Sequence, residues 1–410
     1  MKYLLSKSNP KLEGEITIPA SKSISNRVLI INALSYSGAP VQNLSDCEDT
    51  RRMQSVMYSN TNVFDVGDAG TTMRFLTAYL AKVVGEWTLT GSERMKERPI
   101  GVLVDALNEL GAQITYQEKE GYPPLKIFGS NLTGSVVTLD GGTSSQYISA
   151  LLLIAPTLEK GLNIKLKGKI VSRPYIQMTL KMMEEFGVKS VFKGNEIRVE
   201  HQNYSVTPYT VEGDWSGVSY WYAMMALAEG GKLKLNGLRK NSIQGDAGLI
   251  PLFEKLGVKT VFSKRGMHIE KCDESVTKFV QNFSDMPDLA QTFAVCCAIK
   301  GIPFRFTGLE TLKIKETDRI QALINELGKL GYVLTEPEDG ALAWDGTRKE
   351  AEENAVISTY RDHRMAMAFA PVAILLPGIA IDQPDVVGKS YPNFWEQLRQ
   401  VDFQIEEVRE

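Results

Sequence analysis

The sequence predicts a two-domain α/β protein built inside out, with apolar helices enclosed by sheets that keep one face in water. Three observations carry this. A unit of polar start, apolar helix, glycine and alternating strand recurs six times in 410 residues. Helical runs close at Leu110-Gly111, Phe186-Gly187, Leu256-Gly257 and Leu330-Gly331. These glycines are about 70–76 residues apart, the mark of a repeat whose helices end on a glycine cap. The helices are apolar on most of their circumference (L-L-L-I-A, A-V-C-C-A), whereas strands such as K-L-K-L and N-I-K-L-K alternate. The first pattern belongs to helices buried inside a domain and the second to sheets with one wet face. A Rossmann arrangement, with the sheet as the buried layer, does not fit.

The six units follow one another along the chain. The first opens at S-K-S-I-S-N-R (21–27) and runs through V-L-I-I-N-A-L to a short strand after Gly38. The second opens at G-D-A-G-T-T-M-R (67–74) and ends in a strand at 86–90; a basic loop with Arg94, Lys96 and Arg98 follows. The third starts at G-T-S-S-Q-Y (142–147) and ends in N-I-K-L-K, and the fourth starts at G-D-W-S (213–216) and ends in K-L-K-L. The fifth starts at D-M-P-D (285–288) and ends in P-F-R-F; the sixth starts at Y-R-D-H-R (360–364) and ends in I-A-I. Three units per domain put the boundary at V-E-G-D (211–214), near the middle of the chain.

Composition removes several function classes. The formal charge of -3 gives no general attraction to nucleic acid. No run of 18 apolar residues is present, and Met1-Lys2-Tyr3-Leu4-Leu5 lacks the apolar core of a secretory leader, so a cytoplasmic protein without membrane spans is expected. Cys47, Cys272, Cys296 and Cys297 lack zinc spacing and read as reduced core thiols. There is no H-E-x-x-H, no C-x-x-C, no G-x-G-x-x-G after a strand and no Walker lysine after G-D-A-G-T-T, so neither a metal nor a cofactor is expected.

The chemistry must then come from ordinary acids and bases at the helix starts. Lys22, Arg27, Arg74, Gln146, Asp288 and Arg364 flank first turns of apolar helices. Caps account for the hydroxyls of Ser21, Ser23, Ser144 and Thr71. They do not account for cations, which the helix dipole disfavours at an N-terminus unless an anion sits there. Helices pointing one way in each domain would gather these starts on a surface, and two such surfaces would make an interdomain cleft for a polyanion. K-E-T-D-R (315–319) sets an acid between bases, suited to moving a proton while its neighbours hold anions. His201 and His268 have no companions and read as structural, whereas His363 lies between Asp362 and Arg364.

Taken in order, P-A-S-K-S-I-S-N-R (19–27), G-D-A-G-T-T-M-R (67–74), L-T-G-S-E-R-M-K-E-R-P-I (89–100), S-S-Q-Y (144–147), V-S-R-P-Y-I (171–176), V-E-G-D (211–214), P-D-L-A (287–290), K-E-T-D-R (315–319), D-H-R-M-A-M (362–367) and K-S-Y-P (389–392) resemble the EPSP synthase (3-phosphoshikimate 1-carboxyvinyltransferase) family over nearly the whole chain. The resemblance implies an inside-out α/β barrel: each domain has three βαβ-type units, residues 1–20 with 214–410 form one domain, and 21–213 form the other. It implies transfer of the enolpyruvyl group of phosphoenolpyruvate (PEP) to the 5-hydroxyl of shikimate 3-phosphate, by a monomer without cofactor.

The resemblance also implies roles. Ser144, Ser145, Ser172 and Lys315 would hold the shikimate phosphate. Ser23 and Arg27 would take the carboxylate, Tyr175 would pack near the ring, and Thr311 would stand near a hydroxyl where relatives often have asparagine. Lys22, Arg98, Arg319, Arg364 and Lys389 would surround PEP, with Gln146 and the amide of Gly70. Glu316 would move the proton at C3; either Asp288 or Lys22 would serve the attacking hydroxyl. His363, Asp49 and Asp68 would support these groups. Asp68 replaces a common asparagine and would either point away from the phosphate, as a turn or cap residue, or alter PEP affinity; Phe75 replaces a frequent proline. A sister transferase acting on UDP-N-acetylglucosamine usually carries a loop cysteine, where this chain has Met95.

Overall fold

The computed structural model describes residues 1–36, 38–263 and 266–409. The chain forms two compact units: Ala20–Val211, called here the N-terminal unit, and Met1–Pro19 with Glu212–Glu410, the C-terminal unit.

In the N-terminal unit one four-stranded sheet runs Val63–Asp65, Gly85–Thr90, Leu125–Gly129, Gln113–Tyr116 and another Ser190–Lys193, Glu196–Val199, Leu162–Lys167, Val136–Asp140; Tyr209–Thr210 pairs with Val41–Gln42. Each four-stranded sheet holds one parallel pair, with registers Phe64↔Leu89 and Val137↔Ile164. Between the strands of each pair runs a helix, Gly70–Lys82 in one and Ser145–Ile154 in the other. The remaining pairs in these two sheets are antiparallel, and two of them, Gln113–Tyr116 with Leu125–Gly129 and Ser190–Lys193 with Glu196–Val199, are hairpins.

The C-terminal unit repeats the device. Phe279–Asn282 and Phe304–Thr307 pair in parallel across the helix Ala290–Ile299, and Val356–Ile357 with Ile379–Asp382 across His363–Phe369. Gly14–Thr17 pairs in parallel with Lys232–Asn236, which follows the helix Trp215–Leu227. Lys2–Lys7 is stitched antiparallel between Ile379–Asp382 and Phe403–Val408, which binds the first residues into this unit. That final strand follows the helix Phe394–Gln400 and lies beyond the six repeat units the sequence predicts.

Burial follows the apolar pattern. All of Trp215–Leu227 is buried except Ser216, all of Ser145–Ile154 except Gln146, and all of Ala290–Ile299 except Ile299. Arg173–Glu185 and Arg319–Lys329 instead keep a polar face, as amphipathic helices do. The strand Val136–Asp140 alternates strictly between exposed and buried. Gly111, Gly187, Gly257 and Gly331 have φ of 101°, 84°, 85° and 86°, the left-handed turn that ends a helix. Among the described residues the sheets are separate, with two to four strands each.

Two expectations need correction. Cys47, Cys296 and Cys297 are buried, but Cys272 is only half-buried, on the chain just beyond the strand Gly266–Lys271. The sixth helical run ends early: Pro371 lacks the donor an α-helix needs, and Ala370–Ile374 winds as a 3-10 turn. No helix among the described residues is long and apolar enough to cross a membrane.

Candidate active site

Many of the expected site residues of the N-terminal unit lie at the starts of four helices. Lys22–Leu34 is capped by Ser21, whose hydroxyl accepts from the Ile24 amide at 3.4 Å. Ser145–Ile154 is capped by Ser144, which accepts from the Gln146 amide at 3.3 Å. Gly70–Lys82 and Arg173–Glu185 have no side-chain cap, so their leading amides are left for another acceptor. Ser172, at the start of the latter, holds a left-handed φ of 52°.

Side chains tie these starts together. Arg27, 3% exposed, donates through Nε to Thr179 Oγ1 at 2.8 Å, through Nη1 to the Ser23 carbonyl at 2.8 Å and through Nη2 to Ser149 Oγ at 3.2 Å. Its guanidinium also lies over the Phe75 ring, 5.2 Å from the centroid. All these partners are neutral, and burial pushes Arg27 down to about 10 while leaving it charged at neutral pH. Gln146 donates to Thr71 Oγ1 at 3.1 Å. Lys22 pairs with Asp49 at 3.3 Å, and Asp49 also accepts through its carbonyl from Thr72 Oγ1 at 2.9 Å. Ser145 and Ser172 are buried; Ser23, Ser144 and Tyr175 are half-buried.

The stretch 67–99 is braced from within. A Cβ at Gly70 would fall 2.8 Å from Arg98 Nη1, so only glycine lets that guanidinium lie against the helix start. Arg74 is structural: it donates to the Gly70 carbonyl at 3.2 Å and the Pro99 carbonyl at 3.0 Å. Arg94 pairs with Glu97, and Lys96 with Glu93 and Glu118, all on the surface. Asp68 does not cap its own helix. It accepts a short hydrogen bond from Ser92 Oγ, and Ser92 in turn caps Glu93–Lys96 by accepting from the Met95 amide at 3.2 Å. Asp68 thus clamps the turn that delivers Arg98.

In the C-terminal unit the expected residues form one charge network. Arg319, 1% exposed, meets three carboxylates: Asp362 through Nε at 2.7 Å, Asp288 through Nη1 at 3.0 Å and Glu316 through Nη2 at 2.9 Å. Asp288 also binds Arg364 Nη2 at 2.9 Å and stands 3.8 Å from Lys315 Nζ. Glu316 is held on its other oxygen by Lys389 Nζ at 2.8 Å. Burial alone would push Arg319 down, but Asp362, Glu316 and Asp288 together hold it above the ordinary guanidinium value. With the oxygen and nitrogen of its side-chain amide exchanged, Gln291 accepts from Arg319 Nε at 3.2 Å and donates to the Asp288 carbonyl at 3.1 Å. His363 Nδ1 is 3.6 Å from Asp362. Thr311 is half-buried on the 3-10 turn Glu310–Ile314. Among the described residues no group of three or more His, Cys, Asp or Glu could hold a metal ion.

Sequence reading missed three members. Asp362 grips Arg319 from both oxygens and caps the Arg364 amide at 2.9 Å; its place just before His363 was the available signal. Thr179 and Ser149, which seat Arg27, lie 152 and 122 positions away from it, and nothing local marks them. His201 Nδ1 contacts the Leu158 carbonyl at 2.9 Å, and His268 faces Glu270 at 3.8 Å.

A sequence model described as EPSP synthase (3-phosphoshikimate 1-carboxyvinyltransferase) matches residues 7–59 and 56–398. A 3-phosphoshikimate 1-carboxyvinyltransferase of Bacteroides fragilis is 52% identical over 406 residues, covering 99% of each chain. Proteins of the same description from a Sulfurovum species and from Vibrio atlanticus are each 36% identical, covering 95% of this chain and 97% of theirs. The solved EPSP synthase of Acinetobacter baumannii superposes with a TM-score of 0.77 at 20% identity, over 99% of this chain and 100% of that one, which is a likeness of fold.

Proposed function

The chain belongs to the EPSP synthase family, and on that premise we propose how its residues divide the work. The enzyme transfers the enolpyruvyl group of PEP to shikimate 3-phosphate. The 5-hydroxyl oxygen bonds to C2 of PEP while C3 takes a proton, giving a tetrahedral intermediate. The C2–O bond to phosphate then breaks and C3 gives up a proton, which leaves the enol ether and inorganic phosphate.

Ser144, Ser145, Ser172 and Lys315 bind the shikimate phosphate in this reading. Ser23 and Arg27 bind its carboxylate, Tyr175 packs near the ring, and Thr311 meets a hydroxyl. Lys22, Arg98, Arg319, Arg364, Lys389, Gln146 and the Gly70 amide bind PEP. Asp288 or Lys22 takes the hydroxyl proton and Glu316 serves C3; Asp49, Asp68 and His363 hold their neighbours in place. The observation that carries the assignment is the chain Asp288–Arg319–Glu316–Lys389, closed at 3.0, 2.9 and 2.8 Å. It sets two carboxylates on one buried guanidinium. Cations on both sides favour the ionised form of Glu316. PEP takes over part of the charge of Arg319 and Lys389 on binding, and proton uptake by Glu316 becomes easier when the reaction needs it.

The finer architecture belongs to the same proposal: each unit is an inside-out arrangement of three repeats, which its three sheets and strongly buried helices support. So does a cytoplasmic monomer that works without metal or cofactor.

The test measures phosphate release from PEP with shikimate 3-phosphate, with UDP-N-acetylglucosamine and with no acceptor, alongside calorimetric binding. Only shikimate 3-phosphate should support turnover. Glu316→Gln should bind both substrates much as before and lose turnover by roughly 10²–10⁴-fold. Equal loss of binding and turnover would remove Glu316 from the chemistry.

A further inference from the structure

The segment that leads into the helix His363–Phe369 is bent against its own preference. Tyr360 and Arg361, neither of them glycine, have successive φ values of 54° and 57°. Such residues stay in the left-handed region only where the surroundings over-determine them. The bend matters because Asp362 follows at once. Asp362 grips Arg319 and caps the Arg364 amide, so the corner sets where Arg364 begins.

What holds the corner is a buried acid that the reaction does not use. Glu326, fully buried, lies on the same helix as Arg319, seven residues on. Its Oε1 accepts from the Tyr360 hydroxyl at 2.7 Å. Its Oε2 accepts from the Ser358 amide at 2.9 Å and from Lys329 Nζ at 2.7 Å. Lys329 also donates to the Val356 carbonyl at 2.9 Å, which fixes the strand end just before the corner. One helix therefore fixes both sides of the Asp362 grip: Arg319 takes the carboxylate at its start, and Glu326 pins the bent backbone two turns later. A buried carboxylate is costly unless paired and hydrogen-bonded, and every bond of Glu326 goes to its own Lys329 or to this corner.

We propose that Glu326 and Tyr360 are positioning residues for PEP: they hold the 360–361 corner so that Asp362 presents Arg364 in register with Arg319. This rests on the assignment of Arg364 to PEP made above. Neither residue is placed on a substrate.

The test is steady-state kinetics of the full chain with each substrate varied. Tyr360→Phe removes only the hydroxyl, and Glu326 keeps Lys329 and the Ser358 amide, so the protein should fold, with a slightly lower melting temperature. It should raise KM for PEP about tenfold and leave kcat and KM for shikimate 3-phosphate within about twofold. Adding Arg361→Asn, at an exposed position, supplies a residue that tolerates the left-handed region; the double variant should recover at least half of the lost PEP affinity on a logarithmic scale. An equal rise in both KM values, no rise, or no recovery overturns the proposal. Arg364→Gln separates it from its premise. If that variant raises KM for PEP and Tyr360→Phe does not, the positioning role fails and the Arg364 assignment stands. If Arg364→Gln leaves KM for PEP unchanged, both fall.

Discussion

Arg27 and Arg319 are both nearly sealed from water, at 3% and 1% exposure, yet they are satisfied in opposite ways. Arg27 is seated by two hydroxyls and a carbonyl, with an aromatic face beneath it. Arg319 is enclosed by Asp362, Glu316 and Asp288. Burial pushes both guanidinium groups down; only Arg319 has carboxylates that reverse it. Neutral oxygens orient a cation without cancelling its charge, so Arg27 is prepared for an anion that arrives. Arg319 has its charge cancelled in advance. In the proposed reading it holds acids beside one another and lends part of its charge to PEP when that anion binds.

The comparison breaks most visibly at Arg319. Arg319→Met leaves three carboxylates facing one another without their common cation, and removing one partner of a buried ion pair costs about 3–5 kcal/mol. That loss should appear in urea unfolding at pH 7. It should shrink as pH falls towards 4, because protonated carboxyls no longer repel. A pH-independent loss would mean that packing, and not charge, is what Arg319 supplies.

Arg27→Met should behave in the other way. The buried charge goes, and Thr179 and Ser149 still hydrogen-bond each other at 3.0 Å. Stability should then stay within about 1 kcal/mol of the parent or rise. Affinity for shikimate 3-phosphate, by calorimetry, should fall about 100-fold, the scale of a lost charge-assisted hydrogen-bonded pair. A stability cost on the Arg319 scale would show that the neutral seat does more than orient the guanidinium.

The two arginines also show what a sequence can reveal. Arg319 stands in K-E-T-D-R, three residues after Glu316, so part of its network is local and legible. Arg27 is legible as a cation at a helix start, where the dipole disfavours it, but its partners are distant in the chain. The repeats were legible because a period of helix, glycine and strand needs no tertiary knowledge. The strand Phe403–Val408 was not, although Q-I-E-E-V has some alternation: it exists because Lys2–Lys7 lies beside it, from the far end of the chain. Asp68 shows the same limit. Its identity can be read at once, but its use depends on Ser92, which the turn at 91–92 brings back to it.

Asp246 sharpens the comparison by the smallest step. It is 3% exposed on the 3-10 turn Gly245–Gly248 and accepts a short hydrogen bond from Ser216 Oγ. Burial first, then Asp288 and to a lesser degree Asp214, push its carboxyl up to about 6, against the pull of Ser216 and Arg364. The unfolded chain loses this proton near the ordinary carboxylate value, and the folded chain keeps it to about 6. Between those values the folded state binds more protons, so stability falls as pH rises through the window, by roughly 3 kcal/mol once both forms are ionised. Asp246→Asn keeps an acceptor for Ser216 and removes the titration. The variant should therefore melt above the parent at pH 7–8 and together with it at pH 4. A lower melting temperature at pH 8 would mean that Arg364 has charge to spare for Asp246, and that the acids of the C-terminal unit are not in excess of the cations that hold them.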